Sequence, residues 1–112
     1  METHLEIINN VGVLELLGEY LDESNCRDLK TQLANQVQHT PKLVLDLGRV
    51  EFVDSSGLGV IIGSLSKIRG AGGDLKLANV TPRVRTLFDL VRLQNLVDIL
   101  DTRDEAVASF KQ

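Results

Sequence analysis

The sequence predicts an α/β fold, with a mostly parallel sheet of four to five strands and helices packed against it. Short apolar runs alternate along the chain with segments whose apolar residues recur every three or four positions. Strands separated by helices are joined by crossover connections and run parallel. The 112 residues suffice for one core and are too few for two, so we expect residues 1–112 to form a single domain.

The chain is expected to open with a β-hairpin. Two strands are predicted at residues 4–8 and 11–17, joined by the tight turn Asn9-Asn10. A turn this short makes the two strands antiparallel, so the first strand should lie at an edge of the sheet.

A helix is predicted at residues 24–38, followed by the central strand. Ser24 or Asn25 can cap this helix, and its apolar stripe consists of Cys26, Leu29, Leu33 and Val37. Pro41 ends the helical pattern. The nearly continuous apolar run at residues 43–47 is typical of a strand buried on both faces.

A second helix is predicted directly after Asp54. Its buried side is expected to carry Leu58, Ile61, Ile62, Leu65 and Ile68. Three glycines, Gly70, Gly72 and Gly73, favour a left-handed helix end and a turn into a strand at residues 74–78.

The remaining elements are a helix, a strand and a final helix. Thr81-Pro82 begins the third helix, whose inner face should carry Val84, Leu87, Phe88 and Val91. A last strand is predicted at residues 96–100, and the capping-box pattern at residues 102–105 begins a helix that runs to Phe110. The predicted order is therefore ββαβαβαβα.

Composition excludes several classes of function. The net charge of −4 and the absence of tryptophan argue against nucleic-acid binding, and Arg83, Arg85 and Arg92 are interpreted as a solvated face or partner contacts. The single cysteine, Cys26, excludes a disulfide framework. The longest uncharged run, at residues 55–66, has twelve residues and is too short to span a membrane, and the acidic N-terminus is unlike a secretory signal. We expect a cytoplasmic protein that binds neither membranes nor nucleic acid.

The most informative segment is residues 50–59, which places Ser55 and Ser56 at the predicted start of the second helix. Unpaired N–H groups at a helix N-terminus favour negative charge, so a serine there could accept a phosphoryl group. Asp54, Ser55 or Ser56 could instead only cap the helix, which is the more common role of such residues at this position. The residues alone leave these two alternatives open.

Glycines and histidines in this sequence give no catalytic motif. Gly57, Gly59 and Gly63 match neither a P-loop nor a dinucleotide-binding pattern, and Gly59 and Gly63 instead favour close approach by the sheet or by a partner protein. The nucleophile elbow is absent, and His4 and His39 are expected to be exposed polar residues. We predict no enzyme, no metal site and no cofactor.

These residues carry a resemblance to a known family. From about residue 5 to residue 110 the chain resembles the anti-sigma factor antagonists, the stand-alone STAS-domain proteins of bacteria. The matching features are the strand at 43–47, the motif at 52–59, Gly72-Gly73, the run at 75–77, and Pro82, Val84, Leu87-Phe88 and Leu93.

The resemblance implies a partner switch controlled by phosphorylation of Ser55. In proteins like this, the unphosphorylated antagonist binds an anti-sigma factor that is also a serine kinase, and this binding releases a sigma factor. The phosphorylated antagonist cannot bind, and a serine phosphatase restores the binding form. The implied partner-binding residues are Asp22, Asp54, Ser56, Gly57, Leu58 and Gly59. Family members usually have Gly-x-Leu-Asp before the first helix, whereas this chain has one residue more, Gly18-Glu19-Tyr20-Leu21-Asp22.

Two other functions remain open at this point. A constitutive STAS scaffold, in a lipid-transport or stress-signalling complex, would use the same surface without phosphate on Ser55. A small nucleotide-hydrolysing enzyme would show turnover that Ser55→Ala abolishes. The sigma factor, the kinase, the upstream signal and the oligomeric state are not encoded in recognisable motifs.

Overall fold

A five-stranded mixed sheet forms the frame of the molecule. The computed structural model describes residues 1–110. The strands are β1 (Thr3–Ile8), β2 (Val11–Leu16), β3 (Tyr20–Leu21), β4 (Lys42–Asp46), β5 (Phe52–Val53), β6 (Asp74–Ala78) and β7 (Ile99–Leu100). The helices are α1 (Cys26–Val37), α2 (Ser55–Gly70), α3 (Pro82–Leu90) and α4 (Arg103–Ser109), with a 3₁₀ turn at Leu93–Asn95. The main sheet has the order β1-β2-β4-β6-β7, and β3 and β5 form a separate two-stranded sheet.

The predicted topology is confirmed. β1 and β2 form an antiparallel hairpin, whereas β2, β4, β6 and β7 are parallel to one another. β4 is the central strand and β1 lies at an edge. The fold is therefore α/β, with the antiparallel edge strand that the short Asn9-Asn10 turn predicts.

Alternate residues of the strands supply two separate apolar cores. The larger core lies under α1, α2 and α3 and receives Leu14, Leu16, Leu43, Leu45, Leu75 and Leu77 from the sheet. The smaller core lies under α4 and receives Val11, Val13, Val44 and Ala78. Each fully buried aliphatic side chain contributes roughly 1.5–3 kcal/mol, so the parallel strands are stabilised from both faces.

The segment after α3 differs from the prediction. A strand was predicted at residues 96–100, but only Ile99–Leu100 forms one. Leu93 and Val97, four positions apart, are both buried, because the chain turns between them and is not extended. α3 ends at Leu90, so Val91, predicted to be buried, is 46% exposed. Leu93 occupies the core in its place.

Two details of the helices also differ from the prediction. Ile62 is 37% exposed, because Ile61, Leu65 and Ile68 already fill the buried stripe of α2. Asn25 stands at the N-cap of α1, but its side chain makes no cap hydrogen bond. Its amide instead accepts from the Asp22 N–H and donates to the Tyr20 carbonyl, so it stabilises the preceding loop.

Glycines end α2 and set its distance from the sheet. Gly72 has φ +89°, which confirms the predicted left-handed turn. A Cβ on Gly57 would lie 2.6 Å from the Leu21 carbonyl oxygen, whereas Cβ atoms on Gly59 and Gly63 would meet nothing within 4 Å. The sheet therefore does not approach Gly59 and Gly63, and close packing is found at Gly57 instead. Approach by a partner protein at Gly59 and Gly63 stays a prediction.

α4 is joined to the sheet by Arg103. Its guanidinium donates to Asp46 Oδ2 at 2.7 and 3.2 Å and to Glu6 Oε1 at 2.8 Å. The Asp46 side chain is only 4% exposed and also accepts from Gly48 N and Asn79 Nδ2. The hydrogen bond to Asp46 raises the pKa of Arg103, so this group stays charged. Arg103 therefore neutralises a carboxylate that is otherwise buried.

The glycine contacts predict opposite effects of the same substitution on α2. Gly57→Ala should lower the free energy of unfolding by about 1–3 kcal/mol, because its methyl group overlaps backbone that cannot move aside. Gly59→Ala should raise it by about 0.5–1 kcal/mol, because alanine is the better helix former at an open position. Urea denaturation measures both. Equal stability of the two variants would contradict the close packing of α2 on β3.

Removing the Arg103 charge should also destabilise the domain. Arg103→Met keeps the aliphatic stem but leaves the Asp46 carboxylate without its cation, at a cost of about 2–3 kcal/mol in unfolding free energy. Arg85→Met is the matched control, since its ion pair with Asp89 is exposed and i,i+4, and it should cost under about 0.5 kcal/mol. Equal melting curves for the two variants would contradict the claim that Arg103 stabilises the domain by neutralising Asp46.

Candidate functional site

The serine pair lies where α2 begins, and a neighbouring aspartate caps the helix. Asp54 is the N-cap residue, and its Oδ1 accepts from the Gly57 N–H at 2.9 Å. Ser55 is therefore not needed as the cap. Its side chain is exposed, and within residues 1–110 its hydroxyl has no hydrogen-bond partner.

Asp54 also fixes the loop between β3 and α1. Its Oδ2 accepts from the Glu23 N–H at 3.3 Å, and its own N–H donates to the Leu21 carbonyl at 3.2 Å. The start of α2 and the end of β3 are thus held together by one residue.

Asp22 follows β3 as Asp54 follows β5. β3 and β5 are parallel, with Tyr20 opposite Phe52. Asp22 is half-buried, and its Oδ1 accepts from the Ser24 N–H at 2.9 Å and from the Ser24 hydroxyl at 2.6 Å. The parallel pairing places the two aspartates at the same end of the small sheet despite the additional residue before Asp22.

The other predicted site residues differ in exposure. Ser56 is half-buried and Gly59 is exposed. Gly57 is buried against Leu21, and Leu58 is half-buried and packs on the larger core. Gly57 and Leu58 therefore hold α2 in place, whereas Ser55 and Gly59 lie on the surface.

An exposed aromatic pair beside the serines was missed from the sequence. Tyr20 is 52% and Phe52 54% exposed, and as register partners they lie side by side. Phe52 also lines a cleft of about 180 Å³ against α3, together with Arg83 and Leu87. Aromatic side chains are enriched at protein interfaces, but the exposure of these two rings becomes evident only from the pairing of β3 with β5.

Neither histidine of the chain is hydrogen-bonded to Ser55. His4 is exposed on the edge strand β1, and His39 is exposed beyond the far end of α1, about 18 Å along that helix from its start. In the described part of the chain, no three His, Cys, Asp or Glu side chains are grouped as metal ligands. Likewise, none of the helices within residues 1–110 is long and apolar enough to cross a bilayer.

Comparison with known proteins identifies the family of this domain. The family model for the STAS domain matches residues 2–106. The chain is 32% identical to the anti-sigma F factor antagonist of Paenibacillus polymyxa, over 99% of this chain and 97% of that protein. It is 33% identical to the anti-sigma-B factor antagonist of Bacillus subtilis, over 88% of this chain and 92% of that protein.

A solved structure supports the same assignment. The crystal structure of an anti-sigma factor antagonist from Mycobacterium paratuberculosis superposes with a TM-score of 0.87 and 25% identity, and the match covers 99% of this chain and 94% of that one. Sequence and fold agree over nearly the whole length. The chain therefore belongs to the STAS domain family.

Proposed function

We propose that this protein is an anti-sigma factor antagonist whose binding to its partner is switched off by phosphorylation of Ser55. The observation that carries the proposal is the free hydroxyl of Ser55 at the start of α2, where Asp54 already serves as the cap. The similarity to anti-sigma factor antagonists supports an anti-sigma factor as the partner. A kinase active site could reach this hydroxyl without local unfolding.

Phosphorylation at Ser55 would change the surface far more than the fold. A phosphate adds about −1.5 to −2 charges and three acceptor oxygens. The N-terminus of α2 favours that charge, whereas the nearby carboxylates of Asp54 and Asp22 oppose it, so the two effects on stability partly cancel. At a closely packed interface, the same dianion must be desolvated, which costs several kcal/mol. Because each 1.4 kcal/mol changes affinity about tenfold, one phosphate suffices to prevent binding of the partner.

The proposed contact surface surrounds Ser55. It comprises the exposed or half-exposed residues Asp22, Asp54, Ser56 and Gly59 and extends to the rings of Tyr20 and Phe52. The two rings supply apolar contact area, and Ser55 supplies the phosphorylation site that controls binding. Gly57 and Leu58 support this surface from beneath.

The remaining parts of the proposal concern the cellular setting. The partner is an anti-sigma factor with serine kinase activity, and a serine phosphatase restores the binding form. The protein acts by binding in the cytoplasm and catalyses no reaction itself. Nucleotide turnover by the purified protein that Ser55→Ala abolishes would instead favour an enzyme.

Substitutions at Ser55 test the switch. With the anti-sigma factor kinase of the same bacterium, Ser55→Ala should bind as tightly as the parent protein. Ser55→Asp should bind more than about tenfold more weakly, because a charge replaces a neutral hydroxyl at the interface. Both should melt within about 5 °C of the parent, since charge at a helix start changes stability by at most about 1 kcal/mol. Calorimetric titration and thermal melts supply the two measurements.

Ser66→Asp is the matched control for that pair. Ser66 is exposed on the same helix but lies eleven positions further along, so the added charge should leave affinity unchanged. Equal binding by Ser55→Asp and the parent would contradict the switch. Binding without any phosphate on Ser55 in cells would indicate the constitutive scaffold.

Asp22 provides a separate test of the surface. Asp22→Asn retains the side-chain oxygen that Ser24 hydrogen-bonds, so the loop should keep its structure and the melting temperature should change little. The lost charge should weaken the partner complex about three- to tenfold, as expected for a charged group at an interface rim. Unchanged affinity would mean that the longer segment before Asp22 has moved it out of the contact.

A further inference from the structure

Among the described residues, one edge of the main sheet is long and has no strand beside it. The edge strands are β1 and β7. β7 has two residues, too few to template another strand, whereas β1 has six. Free edges of this length expose unpaired backbone groups and are natural sites of strand addition.

The backbone groups that face away from the sheet can be assigned. The Glu2 carbonyl accepts from the Leu17 N–H, so the polar groups of Glu2 face β2. In an antiparallel pair this direction alternates from residue to residue. The N–H and C=O groups of Thr3, Leu5 and Ile7 therefore face outward, and no strand within residues 1–110 lies beside them.

Apolar side chains accompany these free backbone groups. Leu5 is 39% and Ile7 53% exposed. Leu5 lies opposite Leu14 and Ile7 opposite Gly12, so both are on the face that carries α1 and α2, beyond the cover of those helices. A solvated edge strand is normally protected against pairing with another chain by charged side chains or by its short length. Leu5 and Ile7 instead favour such pairing, because they are exposed and apolar.

We propose that β1 pairs antiparallel with β1 of a second copy of this chain, with Leu5 opposite Leu5 on the two-fold axis. This register joins two sheets into one of ten strands and keeps the α1 faces on the same side. The central pair exchanges two backbone hydrogen bonds, and each Thr3–Ile7 pair exchanges two more. The interface is isologous, as closed dimers require.

Charge selects this register over its neighbours. With Leu5 on the axis, His4 of each copy lies opposite Glu6 of the other. Sliding the strands by two residues in one direction would oppose Glu6 to Glu6, and like charges disfavour pairing at the close spacing of non-hydrogen-bonded positions. Sliding them in the other direction would oppose His4 to His4 and lose both His4–Glu6 pairs. Registers with an odd slip would place apolar side chains opposite polar ones on the wrong face.

The edge is held in place before association. The Thr3 hydroxyl donates to Gln32 Oε1 at 2.6 Å, and Gln32 Nε2 donates to the Met1 carbonyl at 3.2 Å, so α1 fixes one end of β1. Arg103 holds Glu6, whose side chain remains 48% exposed. A preformed strand loses little conformational entropy on pairing.

This dimer goes beyond the proposed switch and is compatible with it. α2 packs against α1 and β6, and β2 and β4 separate β6 from β1. The two Ser55 surfaces therefore stay free in the dimer. Because neither surface contributes to the other, failure of the dimer would leave the phosphorylation proposal unaffected.

The first test measures the mass of the full-length chain in solution. Sedimentation equilibrium from about 10 µM to 1 mM should show a reversible dimer, since one added strand pair makes a small interface of modest affinity. Leu5→Lys should give a monomer throughout, because it places two like charges at the axis. Ile62→Lys, at an exposed position of α2, is the matched control and should remain dimeric. A monomeric parent protein at all concentrations would overturn the proposal.

The second test examines the register and does not depend on the lysine variant. In a Cys26→Ser background, Leu5→Cys should form a disulfide between copies on oxidation, because paired residues lie about 5.5 Å apart between Cα atoms. Ile7→Cys should not, since the two positions would be about 13 Å apart along the strands. Equal crosslinking of both variants, or of neither, would refute the Leu5-centred pairing.

Discussion

Asp54 is the residue on which the geometry of the candidate site depends. One carboxylate oxygen caps α2 through Gly57, the other holds the loop before α1 through Glu23, and the backbone N–H pairs with Leu21. These three contacts join β3, β5 and α2 at a single point. Because the cap is supplied by Asp54, the hydroxyl of the next residue, Ser55, is left free on the surface.

The fold keeps this site apart from the interactions that stabilise the domain. The two apolar cores lie above and below the parallel strands, and the buried Asp46 is neutralised by Arg103 on the opposite side of the sheet from α2. Gly57 brings the start of α2 close to β3 without projecting into solvent. A charge added at the start of α2 would therefore lie outside both cores, beside the N–H groups of the helix end and the carboxylate of Asp54.

Much of this arrangement could be predicted from the sequence because periodicity reports burial. The apolar run at residues 43–47 predicted the central strand, which spans Lys42–Asp46, and Thr81-Pro82 predicted a helix start that the structure has. The small sheet of β3 and β5 could not be predicted, since two residues carry no period. The exposed pair of Tyr20 and Phe52 was missed for the same reason. From the sequence, each aromatic residue alone is expected in the core, and only the pairing of β3 with β5 shows that both rings are exposed side by side.

The central claim is that Ser55, and no other hydroxyl of the motif, is the accessible control point. Intact-mass measurement with phosphosite mapping on the protein isolated from its own cells tests this most directly. A single phosphate on Ser55 is the predicted result, because Ser56 is half-buried whereas Ser55 is exposed. Phosphate on Ser56 instead, or no phosphate under any growth condition, would contradict the account.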